Sequence, residues 1–165
     1  MKNRLLPFLC ILSLVACTTP VLIPPQTAIH APHQQPVQSE AAKKLQMAEA
    51  KWQQTKPVHY SYTLQRTCFC PREYNHPIEI RVLNGVVQKA MLPLEQEPLP
   101  SVRMDEALTI NDLFMLLHKA VDKKAASIDV KYDWKYGYPS SIAIDWEKKM
   151  ADEETYFTAR GLRAR

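Results

Sequence analysis

Glycine is scarce in this sequence, and that scarcity excludes two common kinds of nucleotide-binding site. The chain has 165 residues but only three glycines, at Gly85, Gly137 and Gly161. A phosphate-binding loop of the G-x-G-x-x-G or G-x-x-x-x-G-K type needs two or three glycines within a few residues of one another. The sequence therefore excludes an enzyme that holds a nucleotide or dinucleotide by either loop.

Long apolar runs and strong net charge are also missing. The longest apolar run, residues 5–15, is interrupted by Pro7 and Ser13, and a transmembrane helix needs about twenty apolar residues. The net charge is +4, of which Lys2 and Arg4 supply two charges, so the rest of the chain carries about +2. We therefore expect neither a membrane-spanning helix nor a nucleic-acid partner.

Residues 1–16 are predicted to be a lipoprotein signal peptide. A short positive region precedes the apolar run, which is the order found in secretory signals. The run ends in Leu14-Val15-Ala16-Cys17, which resembles the lipobox of bacterial lipoproteins. The resemblance implies that a diacylglyceryl group is attached to the thiol of Cys17 and that the chain is cut before it. Two or three acyl chains would anchor the protein stably in a membrane.

The segment after the signal peptide predicts a tether and a location. Residues 17–38 are rich in proline and glutamine and contain no charged residue, which favours an extended chain over a packed one. Thr18, rather than aspartate, follows Cys17, and in Gram-negative lipoproteins this implies the periplasmic face of the outer membrane. Residues 39–165 remain for one domain, which a chain with 46% apolar residues can support.

Periodicity predicts an α+β fold for this domain. The expected elements are a helix from Ser39 to about Thr55, strands at 58–65, 78–82 and 86–92, a second helix from Thr109, and strands at 128–132, 142–146 and 155–160. Asn84-Gly85 is a strong hairpin signal, and Thr109 with Asp112 forms a capping-box variant. We expect an antiparallel sheet of about six strands with both helices on one face, with two helix–strand–strand–strand units as one form of it. The basic end of the chain, with Arg160, Arg163 and Arg165, could touch anionic lipid head groups, but it is interpreted as a solvated tail.

One resemblance extends along most of residues 45–160. The residues that carry it are Tyr60 to Arg66 leading into Cys68-Phe69-Cys70, Ile80 to Val87, the helix from Thr109, and Tyr132 to Asp145 with its Gly137-Tyr138-Pro139 turn. The domain resembles the bacterial lipoproteins grouped as domain of unknown function 6174. The resemblance implies the fold class and the cell envelope, and it brings no assigned activity.

Two cysteines carry the only candidate chemistry. Cys10 leaves with the signal peptide and Cys17 is lipidated, so Cys68 and Cys70 remain as each other's partners within the chain. Both are predicted on the apolar face of the first strand. Side chains two apart on a strand lie more than about 6 Å apart, so a disulfide would require the strand to bend.

Several hypotheses for this cysteine pair stay open. The simplest is a small structural disulfide in an oxidising compartment. The others are a redox-active pair, a soft-metal site for copper or zinc in which His76 completes Cys68 and Cys70, and free or intermolecular thiols.

Aromatic residues crowd one predicted turn. Trp134, Tyr136 and Tyr138 lie between two predicted strands, and exposed aromatics on a loop are typical of partner-binding hot spots. The same rings could instead fold back over the sheet.

We expect a non-enzymatic envelope module that needs no cofactor, binds an envelope protein or cell-wall component, and contacts the membrane through its lipid. The alternative is a periplasmic redox or metal-handling protein that uses Cys68 and Cys70.

Overall fold

The computed structural model of the chain describes residues 37–148 and 154–165. The predicted signal peptide, Cys17 and nearly all of the predicted tether lie outside these residues. The elements are α1 (Val37–Thr55), β1 (His59–Thr67), β2 (Ile78–Leu83), β3 (Val86–Leu92), β4 (Glu97–Pro98), α2 (Ile110–Asp122), β5 (Ser127–Tyr132), β6 (Pro139–Asp145) and β7 (Thr155–Ala164), with 3₁₀ turns at Arg72–Asn75 and Ser101–Glu106. No helix in the described part of the chain is long and apolar enough to cross a membrane.

The strands form one antiparallel sheet in the order β4-β3-β2-β1-β7-β6-β5. The sheet has seven strands, whereas about six were expected. The additional strand is β4, whose two residues pair with Met91 and Leu92 at the edge of the sheet. Two residues are too few for apolar alternation to be visible in the sequence.

Both helices pack on one face of the sheet, as predicted. Tyr60 of β1 touches both of them: its ring meets the ring of Trp52 in α1 at 5.5 Å, and its hydroxyl accepts a hydrogen bond from the Ile110 backbone N–H at 3.4 Å. The indole N–H of Trp52 also donates to Asn111 of α2 at 2.9 Å. The buried apolar side chains of helices and strands form one core cluster, and its burial is the main stabilising contribution.

The two halves follow the predicted helix–strand–strand–strand order but have opposite hand. Strand β1 begins the first meander and lies beside β7, which ends the second, and the two run antiparallel. With both helices on the same face, no rotation superposes α1-β1-β2-β3 on α2-β5-β6-β7. The halves are therefore similar in order and different in topology.

The helix starts agree with the sequence at α2 and differ at α1. At α2 the Thr109 hydroxyl accepts from the Asp112 backbone N–H at 3.2 Å, and the Asp112 carboxylate accepts from the Thr109 N–H at 2.7 Å. This capping box confirms the prediction. Helix α1 begins at Val37, two residues before the predicted start, so Ser39 lies inside its first turn.

Strand β7 corrects the interpretation of the basic end. It continues to Ala164, so Arg160 and Arg163 lie within the sheet and not in a solvated tail. Gly161, with φ +67°, lies where the β1–β7 register shifts between Ser61 and Thr63. A bulge of this kind inserts one extra residue and interrupts the alternation that identifies a strand from its sequence.

Candidate functional site

The face of the sheet opposite the helices is polar, and across β3, β2, β1 and β7 it carries most of its charge as arginine. The side chains that point to this face from β3, β2, β1 and β7 follow from the cross-strand register and alternate with the core residues. They include Lys89 and Met91, Glu79 and Arg81, Ser61, Thr63 and Gln65, and Thr158, Arg160 and Arg163. Five cations, counting Arg165, face one carboxylate across these four strands. We call this surface the open face.

Ser61 lies at the centre of the open face. It is directly opposite Arg81 on β2 and directly opposite Arg163 on β7. Its hydroxyl accepts a hydrogen bond from the Arg165 Nε at 3.0 Å. Ser61 is only 4% exposed, so its hydroxyl forms the floor of a groove bordered by three guanidinium groups.

Glu79 is the single carboxylate in this group of residues. Its Oε1 lies 3.6 Å from the Arg81 Nε and 3.8 Å from an Arg165 Nη2. Both distances exceed those of a good N–H···O hydrogen bond, which is about 2.7–3.2 Å. Glu79 therefore attracts both arginines without saturating their donors.

A second row of side chains on the open face lies beside the row of Arg81, Ser61 and Arg163. Thr63 is opposite Glu79 on one side and Arg160 on the other. The Arg160 Nη2 donates to the Gln65 Oε1 at 2.8 Å. Arg160 therefore donates to a neutral side chain, whereas Arg163, on the same strand beside Ser61, makes no such bond within the described residues.

The cysteine pair lies at one end of β1. The Sγ atoms of Cys68 and Cys70 are 1.98 Å apart and the Cα atoms 5.2 Å apart, so the two residues form a disulfide. The strand ends at Thr67, and the prediction that both cysteines continue its apolar face is wrong. A chain that bends after Thr67 brings the two side chains within bonding distance, which an extended strand would not allow.

Asn75 supports the disulfide loop. Its Oδ1 accepts from the Cys68 backbone N–H at 3.0 Å, and its Nδ2 approaches the Cys70 Sγ at 3.6 Å. Its carbonyl oxygen accepts from the Gln65 side chain at 3.1 Å. Phe69 between the cysteines is 87% exposed, so the loop presents an aromatic ring to solvent.

The proposed third metal ligand has a different partner. His76 Nδ1 lies 2.9 Å from Glu95 Oε1, and the two cysteine sulfurs are bonded to each other. Across residues 37–148 and 154–165, no three His, Cys, Asp or Glu side chains converge into a metal-binding group. The structure thus does not assemble Cys68, Cys70 and His76 into a metal centre.

Arg103 lies in the 3₁₀ turn Ser101–Glu106 and anchors it to the 3₁₀ turn Arg72–Asn75. This role was not predicted from the sequence. Arg103 is buried and forms a two-pronged pair with Glu106 at 2.7 and 2.9 Å, which raises the pKa of its guanidinium. It also donates to the Glu73 carbonyl at 2.7 Å and lies 5.0 Å from the Tyr74 ring centre. A lone arginine shortly after two prolines gives no periodic signal, so only the fold reveals this role.

The aromatic turn is divided between core and surface. Tyr138 is only 5% exposed and packs 6.4 Å from the Trp52 ring, and burial raises the pKa of its hydroxyl. Tyr136 is half-buried, and its carbonyl accepts from the Thr55 hydroxyl at 3.1 Å. Trp134 is 83% exposed, with its carbonyl bound by Lys51. Of the three predicted partner-binding residues, only Trp134 presents its ring to solvent.

The central residues of the open face were not identified from the sequence. Ser61, Glu79 and Arg81 lie at the polar positions of alternating strands, which ordinarily face water. The available signal was their shared phase, because each lies between two buried apolar residues of a strand. Pairing between strands then brings them together, and this pairing is a property of the topology.

Comparison with known proteins gives one family and no characterised relative. The model of a family of unknown function, DUF6174, matches residues 44–164. No curated protein and no solved structure matches the chain. The match spans every strand of the sheet and all of α2.

Proposed function

The chain belongs to the DUF6174 family, and we propose that it is a membrane-anchored bacterial lipoprotein whose domain is a non-enzymatic binding module of the cell envelope. The observation that carries the proposal is the open face. Its polar side chains are held in register by strand pairing, and its charges are unequal in number. Such a surface suits recognition of a partner of opposite charge.

The anchor is part of the same proposal and is argued from the sequence. Leu14-Val15-Ala16-Cys17 ends a short apolar run that follows two cations, and acyl chains on Cys17 would retain the protein in a leaflet. We place it at the periplasmic face of the outer membrane, because Thr18 follows the cysteine. The uncharged segment up to residue 38 would let the domain search for a partner near that membrane.

Site-specific photocrosslinking of the full chain in cells tests the binding surface. A photoreactive phenylalanine analogue replaces Thr158, an exposed residue of the open face, or Met115, an exposed residue of α2. We expect a discrete crosslinked product from Thr158 and none from Met115. Products from Met115 alone, or from both positions equally, would show that the open face is not the binding surface.

A Cys17→Ser variant tests the anchor separately. We expect it to accumulate as an uncleaved or mislocalised precursor, measured by fractionation and by the mass of the mature chain. Processing and membrane retention equal to those of the wild type would refute lipidation at this residue. Wild-type mass matching a diacylated or triacylated Cys17 would support it directly.

The cysteine pair supports a second candidate function. Cys68 and Cys70 lie in a loop outside the strand, beside the exposed Phe69, so a partner could reach the bond. In this proposal the reduced pair gives two electrons and two protons to a disulfide of another envelope protein and closes its own bond. Thiol labelling in intact cells tests it: a labelled fraction that falls when that partner is oxidised would support redox activity, and a pair that labels only after denaturation with reductant would contradict it.

A further inference from the structure

The arginines around Ser61 form the strongest unexplained feature of the open face. Arg81, Ser61 and Arg163 lie side by side on three neighbouring strands, and Lys89 continues the row on a fourth. Adjacent strands are about 4.8 Å apart, and like charges placed opposite each other on a sheet destabilise it. Lys89 opposite Arg81 is such a pair. A row of this kind breaks a local rule of sheet stability, which is typical of a functional surface.

The groove has the donors that an anion requires. It has a volume of about 410 Å³ and is bordered by the polar residues Ser61, Thr63, Glu79, Arg81, Arg163 and Arg165. Glu79 engages the donors of Arg81 and Arg165 only loosely, at 3.6 and 3.8 Å. The Arg165 Nε also donates to the Ser61 hydroxyl at 3.0 Å, which leaves the terminal nitrogens of that guanidinium and the proton of the hydroxyl for a ligand. In the described part of the chain, Arg163 makes no side-chain hydrogen bond or ion pair, so its donors are available.

We propose that this groove binds a phosphate group, held by the guanidinium groups of Arg81, Arg163 and Arg165 and by the hydroxyl of Ser61. The planar pair of donors on a guanidinium group matches the oxygens of phosphate. Three guanidinium groups and one hydroxyl together offer more hydrogen-bond donors than the two oxygens of a carboxylate can accept. The inference rests on the proposed function, because it takes the open face as the binding surface. It adds the chemical class of the ligand.

Glu79 gives the proposal a distinctive consequence. Its carboxylate lies beside two of the three guanidinium groups and would repel an incoming phosphate while competing for the same donors. Removing its charge should therefore tighten binding, whereas removing Arg163 should weaken it. Opposite effects on one ligand are not expected from two residues that only stabilise the fold.

The test is a titration of the full chain, purified in an uncharged detergent, with sodium phosphate at pH 7. Shifts of the Ser61 and Arg163 backbone amides are followed by NMR, with sodium chloride at matched ionic strength as the control for screening. We expect saturable shifts with phosphate only. Linear shifts of equal size with both salts would overturn the proposal.

Three variants locate the site. Arg163→Gln should weaken phosphate binding by on the order of tenfold, and Glu79→Gln should tighten it by at least about threefold. Arg160→Gln is the matched control, because it removes one cation from the same strand and the same face. Arg160 donates to Gln65 and does not border the groove. This substitution should weaken binding by less than about threefold. Equal losses for Arg163→Gln and Arg160→Gln would refute a defined site in favour of a diffuse positive field.

A further arm identifies the source of the phosphate. The same amides are observed while phosphatidylglycerol or phosphatidylcholine is added to the detergent micelles. Saturable shifts with phosphatidylglycerol alone would assign the site to an anionic lipid headgroup, and shifts with inorganic phosphate alone would assign it to a soluble phosphorylated ligand. If no arm gives saturable shifts while crosslinking from Thr158 persists, the ligand class is wrong and the open face remains the binding surface.

Discussion

Replacing Gly137 with alanine should destabilise this domain more than the same replacement at Gly161, although both glycines have positive φ. Gly137 lies in the β5–β6 turn with φ +81°, where an added Cβ would be 2.7 Å from the Ala48 carbonyl oxygen and 3.0 Å from the Lys51 Cβ. Gly161 lies in the β7 bulge with φ +67°, and an added Cβ there would have no heavy atom within 4 Å. The pair separates the cost of backbone conformation from the cost of close packing against α1.

The expected magnitudes follow from these two geometries. Placing alanine in the left-handed region costs about 1–2 kcal/mol, and this cost applies at both positions. At Gly137 the Cβ also collides with helix backbone, which cannot rotate away, and overpacking of this kind costs about 1–3 kcal/mol. We therefore expect a loss of about 3 kcal/mol in the free energy of unfolding for Gly137→Ala, and of about 1–2 kcal/mol for Gly161→Ala.

Urea unfolding followed by circular dichroism measures both losses, with the slope of free energy against urea checked for constancy. Asparagine provides an internal test, because it tolerates the left-handed region but still carries a Cβ. Gly161→Asn should lose less than about 1 kcal/mol, whereas Gly137→Asn should keep most of its collision cost. Equal losses at the two positions would show that the contact between the turn and α1 yields without cost, and would refute the reasoning.

Three other predictions concern the core, the second helix and the disulfide. Burial raises the pKa of Tyr60 to about 12, so the folded state favours the protonated hydroxyl. Its contribution to the free energy of unfolding is fully present below pH 10 and should be lost between pH 10 and 12. Urea titrations at alkaline pH should show a shallower fall in stability for Tyr60→Phe than for the wild type. Thr109→Ala removes the capping box and should cost about 1 kcal/mol in the same assay at pH 7. Replacing Cys68 and Cys70 with serine should cost no more than about 1.5 kcal/mol, because the closed loop is very short; calorimetry that showed loss of folding would contradict this.

Local signals predicted several elements well. The capping box of α2 and the strand from Val86 to Leu92 agree with the structure. Asn84 and Gly85 both have positive φ, as their hairpin turn requires. These features depend on residues within a few positions of one another, so the sequence carries the whole interaction.

Other residues were placed wrongly because their surroundings come from distant segments. Tyr138 shares its turn with Trp134, yet it is buried because α1 supplies Trp52 beside it. Cys68 and Cys70 have the spacing of a strand, but the chain bends where the first strand ends and Asn75 supports the bend. Periodicity alone reports neither a packing partner nor the end of a strand.

The sequence by itself determined the α+β class, the start of α2, the hairpin at Asn84-Gly85 and the prediction of a lipid on Cys17. Only the tertiary structure decided which polar residues meet on the open face. The bulge at Gly161 breaks the alternation of the last strand, and the pairing of the first strand with the last joins residues about a hundred positions apart, as between Ser61 and Arg163. Strand pairing across that distance is a global property, because it depends on every helix and strand that closes the core.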